Sequence, residues 1–169
     1  MLTYRYATIS DSDLYFRWVN DVLVRKNSLN TEAISLENHN KWFSNKINNP
    51  NVFMYVFTNH KNEPVGQVII ELKKDWVSLG QSIAREHRGK KYSTEMLTKS
   101  TDAFLKNFPT LTIVSVVKTT NKPSIKMSIN SGFNVLENEA VNEKILVLKG
   151  HKQYDKDYII KAKKYYNLI

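Results

Sequence analysis

The 169-residue chain carries 25 Lys and Arg against 16 Asp and Glu, a formal net charge of +9, and no cysteine. That length suits one domain with a single sizeable core, and a hydrophobic content of 41% excludes a disordered polymer. The lack of cysteine excludes disulfides, thiolate metal sites and a Cys nucleophile. Met1 to Arg5 lacks the apolar start of a signal peptide, and no apolar run approaches the ~18 residues of a membrane span, so a soluble, cytoplasmic protein is expected. The positive surplus is dispersed, with no block of like charges. It reads as solubilising surface that also steers anionic ligands, not as a nucleic-acid stripe.

In chain order, Tyr4, Tyr6 and Thr8 alternate with Arg5, Ala7 and Ile9 as a first strand. Ser10-Asp11-Ser12-Asp13 is an N-cap cluster for a short helix over 14–20, and 27–31 is polar loop. Ser35-Leu36-Glu37-Asn38 opens a second helix whose apolar face holds Trp42, Phe43 and Ile47, and Asn48-Asn49-Pro50-Asn51 stops it. Three strands follow at 52–58, 65–72 and 77–84, with separators at 60–64 and 73–75 short enough for hairpins. Residues 92–108 form the strongest helix pattern, with Met96, Leu97, Phe104, Leu105 and Phe108 on one stripe before Pro109. The β-branched run 111–118 reads as a buried strand. A helix at 124–130 closes on Gly132, and strands at 133–136 and 144–148 complete a mixed α+β layer structure without repeats. Residues 1–150 thus read as one domain. Residues 151–169, basic and rich in tyrosine (Tyr154, Tyr158, Tyr165, Tyr166), read as a helical extension packed on it.

Two segments carry chemistry. Arg88-Gly89-Lys90-Lys91-Tyr92-Ser93 joins the strand ending near Ala84 to the long helix. A basic, glycine-containing turn at a helix N-terminus suits a phosphate diester: the turn amides point outward and the helix end carries roughly half a positive charge. The second segment is Asn121-Lys122-Pro123-Ser124, followed by Gly132-Phe133. Together the pair resembles the coenzyme A site of the GNAT superfamily of N-acetyltransferases. In that family the turn reads Arg/Gln-x-x-Gly-x-Gly/Ala, and the second stretch reads Asn-x-x-Ala/Ser before Gly-Phe. Lys91 stands in place of the first glycine of the turn, and Ser93 in place of the second small residue.

The resemblance implies a central, mostly antiparallel twisted sheet of six to seven strands flanked by helices, with acetyl-CoA as co-substrate and no metal. It assigns coenzyme binding to Ile83, Ala84, Arg88, Gly89, Lys90, Lys91, Tyr92 and Ser93, with Asn121 on the pantetheine arm and Ser124 near the diphosphate. An oxyanion donor is implied at the backbone of Ser82 or Ile83, an interaction worth roughly 3 kcal/mol elsewhere. Ser128 occupies the position of the family's tyrosine acid, seven residues after the asparagine. His39, Glu71 and Gln81 are the candidates for a base, the last only by holding a water; His39 is the one whose side-chain type ordinarily serves as a base near neutral pH.

The run Arg17-Trp18-x-Asn20-Asp21-x-x-x-Arg25-x-x-Ser28, with His39 and Trp42-Phe43, is similar to GNAT proteins of bacterial nucleotide-sugar pathways, of the pseudaminic-acid type. That likeness implies an amino-sugar acceptor in cell-surface polysaccharide biosynthesis. Arg17 and Arg25 would meet nucleotide phosphates, Trp42 would stack on a base or sugar, and Asn20, Asn27, Ser28 and His39 would read hydroxyls. A protein N-terminal acetyltransferase and a non-catalytic coenzyme A-binding module are the alternatives. The implied partner is a small-molecule amine, with no membrane or nucleic acid and with a homodimer as the candidate assembly.

Overall fold

The computed structural model describes residues 1–74, 76–150 and 156–169. Its elements are β1 (Thr3–Tyr6), α1 (Ser12–Val19), α2 (Val22–Asn27), α3 (Leu36–Ile47), β2 (Val52–Thr58), β3 (Pro64–Leu72) and β4 (Val77–Ile83). They continue with α4 (Tyr92–Asn107), β5 (Thr112–Lys118), α5 (Lys122–Asn130), β6 (Asn134–Val135), β7 (Lys144–Gly150) and α6 (Lys156–Tyr165). The strands form one seven-stranded sheet in the order β1-β2-β3-β4-β5-β7-β6. Every neighbouring pair is antiparallel except β4 and β5. The sheet thus has the expected class and strand number.

Helices α4 and α5 cover one face, where Met96, Leu97, Phe104, Leu105 and Ile125 meet Val68, Ile70, Val77, Ile113 and Val147. The other face is covered in two separate places. Helices α1 and α3 bring Tyr15, Trp18 and Phe43 onto Met54, Val56 and Ala84, while α6 and the tail bring Ala162 and Leu168 onto Val114, Leu146 and Leu148. Tyr158 and Tyr166 donate to the carbonyls of Thr112 and Val114, fixing α6 to β5. Between these two patches lies the β4–β5 seam. Only Val77↔Ile113 and Ser78↔Val114 are in register there, and beyond them the parallel strands diverge.

Two expectations change. The first strand stops at Tyr6, because the Thr8 amide turns to the Asp11 carboxylate, which also holds Arg5. Its four residues are exposed on both faces at the sheet edge, with Tyr6 stacked on Tyr55. Residues 22–26, which carry no helix pattern, and Asn27, expected to open the polar loop, form α2, capped by the Asp21 carboxylate on the amides of Leu23 and Val24. The turn expected at 73–75 includes Asp75, and the extension begins with His151 and Tyr154, all three outside the described residues.

Candidate active site

The site is built on the diverging ends of β4 and β5. Ala84 donates to the Val65 carbonyl at 2.9 Å, which fixes the alternation of β4 amides against β3. By that alternation Ser82 and Gly80 turn their N–H groups to β3, whereas Gln81 and Ile83 turn theirs to the opening beside β5. The oxyanion donor expected at Ser82 or Ile83 is therefore confined to the Ile83 side. The Ser82 side chain is buried on the opposite face and meets Gln67 at 3.2 Å. Where register ends, Ser115 of β5 donates to the Leu79 carbonyl at 3.0 Å.

After β4 a 3-10 turn at Arg85–His87 leads into the basic turn. Gly89 has φ +77°, and a Cβ there would meet nothing within 4 Å. Lys91, at the glycine position of the family pattern, takes φ +62° all the same. The backbone thus keeps the left-handed turn without the glycine, at a cost of about 1–2 kcal/mol. Lys91 is the N-cap of α4 and makes no side-chain cap, so its own side chain leaves the first-turn amides unbonded. At α5, Asn121 accepts from the Ser124 amide at 3.3 Å, and Pro123 sits in the first turn, where its missing N–H costs nothing.

These parts enclose one cavity of about 570 Å³ that runs through the sheet. On the α4–α5 side it is lined by Gly89, Lys91, Tyr92 and Ser93, and by Asn121, Ser124, Met127 and Ser128. On the opposite side it is lined by Leu23, Val24, Asn27 and Ser28 of the α2 region, with Gly80 and Tyr166. Among the described residues no Asp or Glu lines it, while His87, Arg88 and Lys91 do. Ala84 and Lys90 are the expected coenzyme residues that do not reach it: Ala84 is buried beneath α1, and the Lys90 ammonium lies 3.5 Å from His87 Nδ1.

Helix α2 spans the mouth of the divergence. Arg88 pairs with Asp21 at 2.5 Å at its N-terminal end and also donates to the Ile83 carbonyl, while Lys118 of β5 donates to the Lys26 carbonyl at 2.7 Å at its C-terminal end. Burial tends to raise the Asp21 carboxyl. The Arg88 hydrogen bond and the capped Val24 and Leu23 amides outweigh it, and the group sits below its usual range.

Several expected acceptor residues are placed elsewhere. His39 is 1% exposed, bonds the Ser12 carbonyl at 2.9 Å and packs on Phe16, Trp42 and Phe43, so it fastens α3 to α1 outside the cavity. Trp42 lies on that same cluster. Asn20 clasps Ile34 through both its amide groups, and Arg25 holds the loop through the Asn30 and Glu32 carbonyls and the Ser28 hydroxyl. Glu71 is paired with Lys46 and Lys73 at the far end of β3. Gln81 lines the cavity, with its Nε2 on Met127 Sδ and its Oε1 without a partner. Arg17 lines a second cavity of about 320 Å³ with Trp18 and Arg85, which adjoins the first at Ile83.

The residues that sequence reasoning missed are Leu23, Val24, Gly80, His87 and Tyr166. Asp21 as a cap was the available signal for the first two. Nothing in the sequence says that the tail returns Tyr166 to the cavity, where burial pushes its phenol up in pKa.

A sheet split between two strands, with an anion-binding turn on one side and an open cleft on the other, defines a transferase that brings two substrates together through the gap. The sequence model of the GNAT acetyltransferase domain matches residues 1–134, and the chain belongs to that family. It is an acetyl-CoA-dependent N-acetyltransferase. Solved structures share the fold. Vibrio cholerae spermidine N-acetyltransferase, in complex with CoA and spermine, superposes with TM-score 0.75 at 16% identity over 87% of this chain and 92% of that one. A domain from Methanocaldococcus jannaschii gives 0.75 at 20%, covering 89% and 99%. The yncA protein of Salmonella typhimurium, with its cofactor acetyl-CoA, gives 0.71 at 15%, covering 92% and 99%. Among curated proteins nothing matches the sequence.

Proposed function

We propose that the acceptor is a primary amine on an uncharged or anionic carrier, most simply the amino group of a nucleotide-linked sugar. The observation that carries this is the lining of the larger cavity, which among the described residues has cationic and neutral groups and no carboxylate. A polyamine such as the spermine bound by the Vibrio cholerae enzyme would bring several positive charges into a chain of net charge +9, where the carboxylates of the adjoining cavity among the described residues are Asp21, already paired with Arg88, and Glu86. An anionic acceptor is steered in. The adjoining cavity sets Arg17 and Arg85 beside Asp21 and Glu86, with Asp21 already paired to Arg88, and its guanidiniums suit phosphate oxygens beside the reaction gap.

Acetyl-CoA supplies the acetyl group as a thioester. The chain's part is positional and electrostatic: first-turn amides of α4 and the left-handed Gly89–Lys91 turn hold the diphosphate. The Ile83 amide, aimed into the gap, stabilises the carbonyl oxygen as it becomes anionic. Ser128, in the position of the family's tyrosine, is a weak acid, and the departing thiol, with a pKa near ~8.5, needs little help.

The test is calorimetric titration with acetyl-CoA of the wild type, Gly89→Asn and Gly89→Asp. Asn and Asp both tolerate positive φ, so their difference isolates charge. Gly89→Asn should bind within a few-fold of wild type and Gly89→Asp at least ten-fold more weakly. Equal affinities would remove the diphosphate from this turn. A UDP-linked 4-amino sugar should then be turned over faster than spermidine or a peptide N-terminus. Faster turnover of spermidine would sink the acceptor reading.

A further inference from the structure

Four of the five glycines have a local reason to be glycine. A Cβ on Gly66 would run into the Ser82 carbonyl, and one on Gly150 would sit 2.7 Å from the Leu111 carbonyl. Gly89 and Gly132 hold positive φ. Gly80 has neither reason. It lies mid-strand opposite Ile69, outside the left-handed region, and a Cβ there would meet nothing within 4 Å. Glycine inside a strand weakens it, and where no backbone need explains it the residue marks close approach by something else.

The direction of that empty space follows from strand alternation. Val77, Leu79 and Ile83 pack with the α4–α5 core, and Ala84 packs with α1 and α3 on the opposite face. Gly80 shares the face of Ala84. Its missing side chain opens onto the acceptor half of the cavity, one residue before Gln81 and three before the Ile83 amide, facing the α2 wall of Leu23, Val24 and Asn27.

We infer that Gly80 is the specificity-determining residue of the acceptor side: the space above it accommodates the carrier of the amine, a group of ring size and not a linear chain. This rests on the acceptor reading given above. It predicts effects of opposite sign on stability and on selectivity, which a purely structural glycine cannot give.

The experiment compares wild type, Gly80→Ala and Gly80→Val by thermal melting, by acetyl-CoA titration and by kcat/KM for three acceptors. These are 2-aminoethanol, a UDP-linked 4-amino sugar and a peptide with a free N-terminus. Gly80→Val should raise Tm by about 2–4 °C, because strand propensity improves where nothing is displaced. Acetyl-CoA affinity should stay within two-fold. The kcat/KM ratio of the bulky acceptor to 2-aminoethanol should fall at least ten-fold, with Gly80→Ala between. A lowered Tm, weakened acetyl-CoA binding or an unchanged acceptor ratio would each overturn the assignment. If the wild type prefers the peptide to the sugar, the nucleotide-sugar reading fails, while the same fall in the peptide-to-aminoethanol ratio upholds the role of Gly80. Wild-type turnover of 2-aminoethanol alone, or of none of the three, would overturn both.

Discussion

Lys91 shows how a residue can depart from a family pattern while the backbone does not. Its φ of +62° is the conformation a glycine would take freely, and its neighbours Gly89 and Tyr92 still deliver the turn into α4. Lys91→Gly is therefore expected to stabilise the fold by up to about 1 kcal/mol, the relief of strain being partly offset by a more flexible unfolded chain. Lys91→Val should destabilise it by about 1–2 kcal/mol, since a β-branched residue resists positive φ. Urea denaturation of the three proteins measures both changes, and equal midpoints would contradict the turn geometry. At this scale the sequence was legible where a role belongs to the backbone. Gly89, Asn121 and Ser124, the residues their motifs single out, all line the one cavity. It was illegible where a role depends on where a side chain ends up. His39 has the chemistry of a base, yet burial among Phe16, Trp42 and Phe43 makes it a fastener.

Helix α2 is the element that turns the open seam into a cleft, and local propensity hides it. It has six residues, two of them β-branched valines, and it buries none of its side chains; so short a helix is not stable by itself. Tertiary ties at both ends hold it, Asp21–Arg88 and Lys118 on the Lys26 carbonyl. These link it to the residues that follow β4 and to the end of β5, contacts far apart in sequence that no local pattern records. Asp21→Asn keeps the cap, since Asn and Asp are comparable there, but removes the charge opposite Arg88. It should lower stability by about 1 kcal/mol and raise the acceptor KM several-fold, with acetyl-CoA affinity undiminished. Melting curves, steady-state kinetics and a coenzyme titration separate these effects. A matching loss of coenzyme affinity would show that the ion pair positions the phosphate turn instead of α2.

Across the whole molecule, the excess of positive charge leaves the carboxylates as the scarce partners. Arg5 holds the Asp11 carboxyl below its usual range against the effect of burial. At Glu71 burial tends to raise the pKa, but Lys46 and Lys73 outweigh it. At Glu95 burial is likewise outweighed, by Lys99 and the Leu2 amide. Each such group has a lower pKa folded than unfolded, so the unfolded chain binds more protons in acid. The stabilisation is complete above the ordinary carboxylate values, near 3.8 for Asp and 4.5 for Glu, and is lost as pH falls through the depressed folded values. The same protonation removes 16 negative charges and leaves 25 Lys and Arg without counter-charge, adding self-repulsion. Stability should therefore vary little between about pH 5 and 8 and collapse below about pH 4. Glu71 joins α3 to the residues that follow β3 through two lysines at 2.6 Å, and it dominates the comparison that tests this. Glu71→Gln should cost about 1–2 kcal/mol at pH 7 and progressively less as pH falls below 4.5 and through the depressed folded value, where the wild type loses the charge as well. Tm measured for both proteins across that range should converge on the acid side. A constant gap between the two curves would mean that Glu71 stabilises by packing and not by its charge.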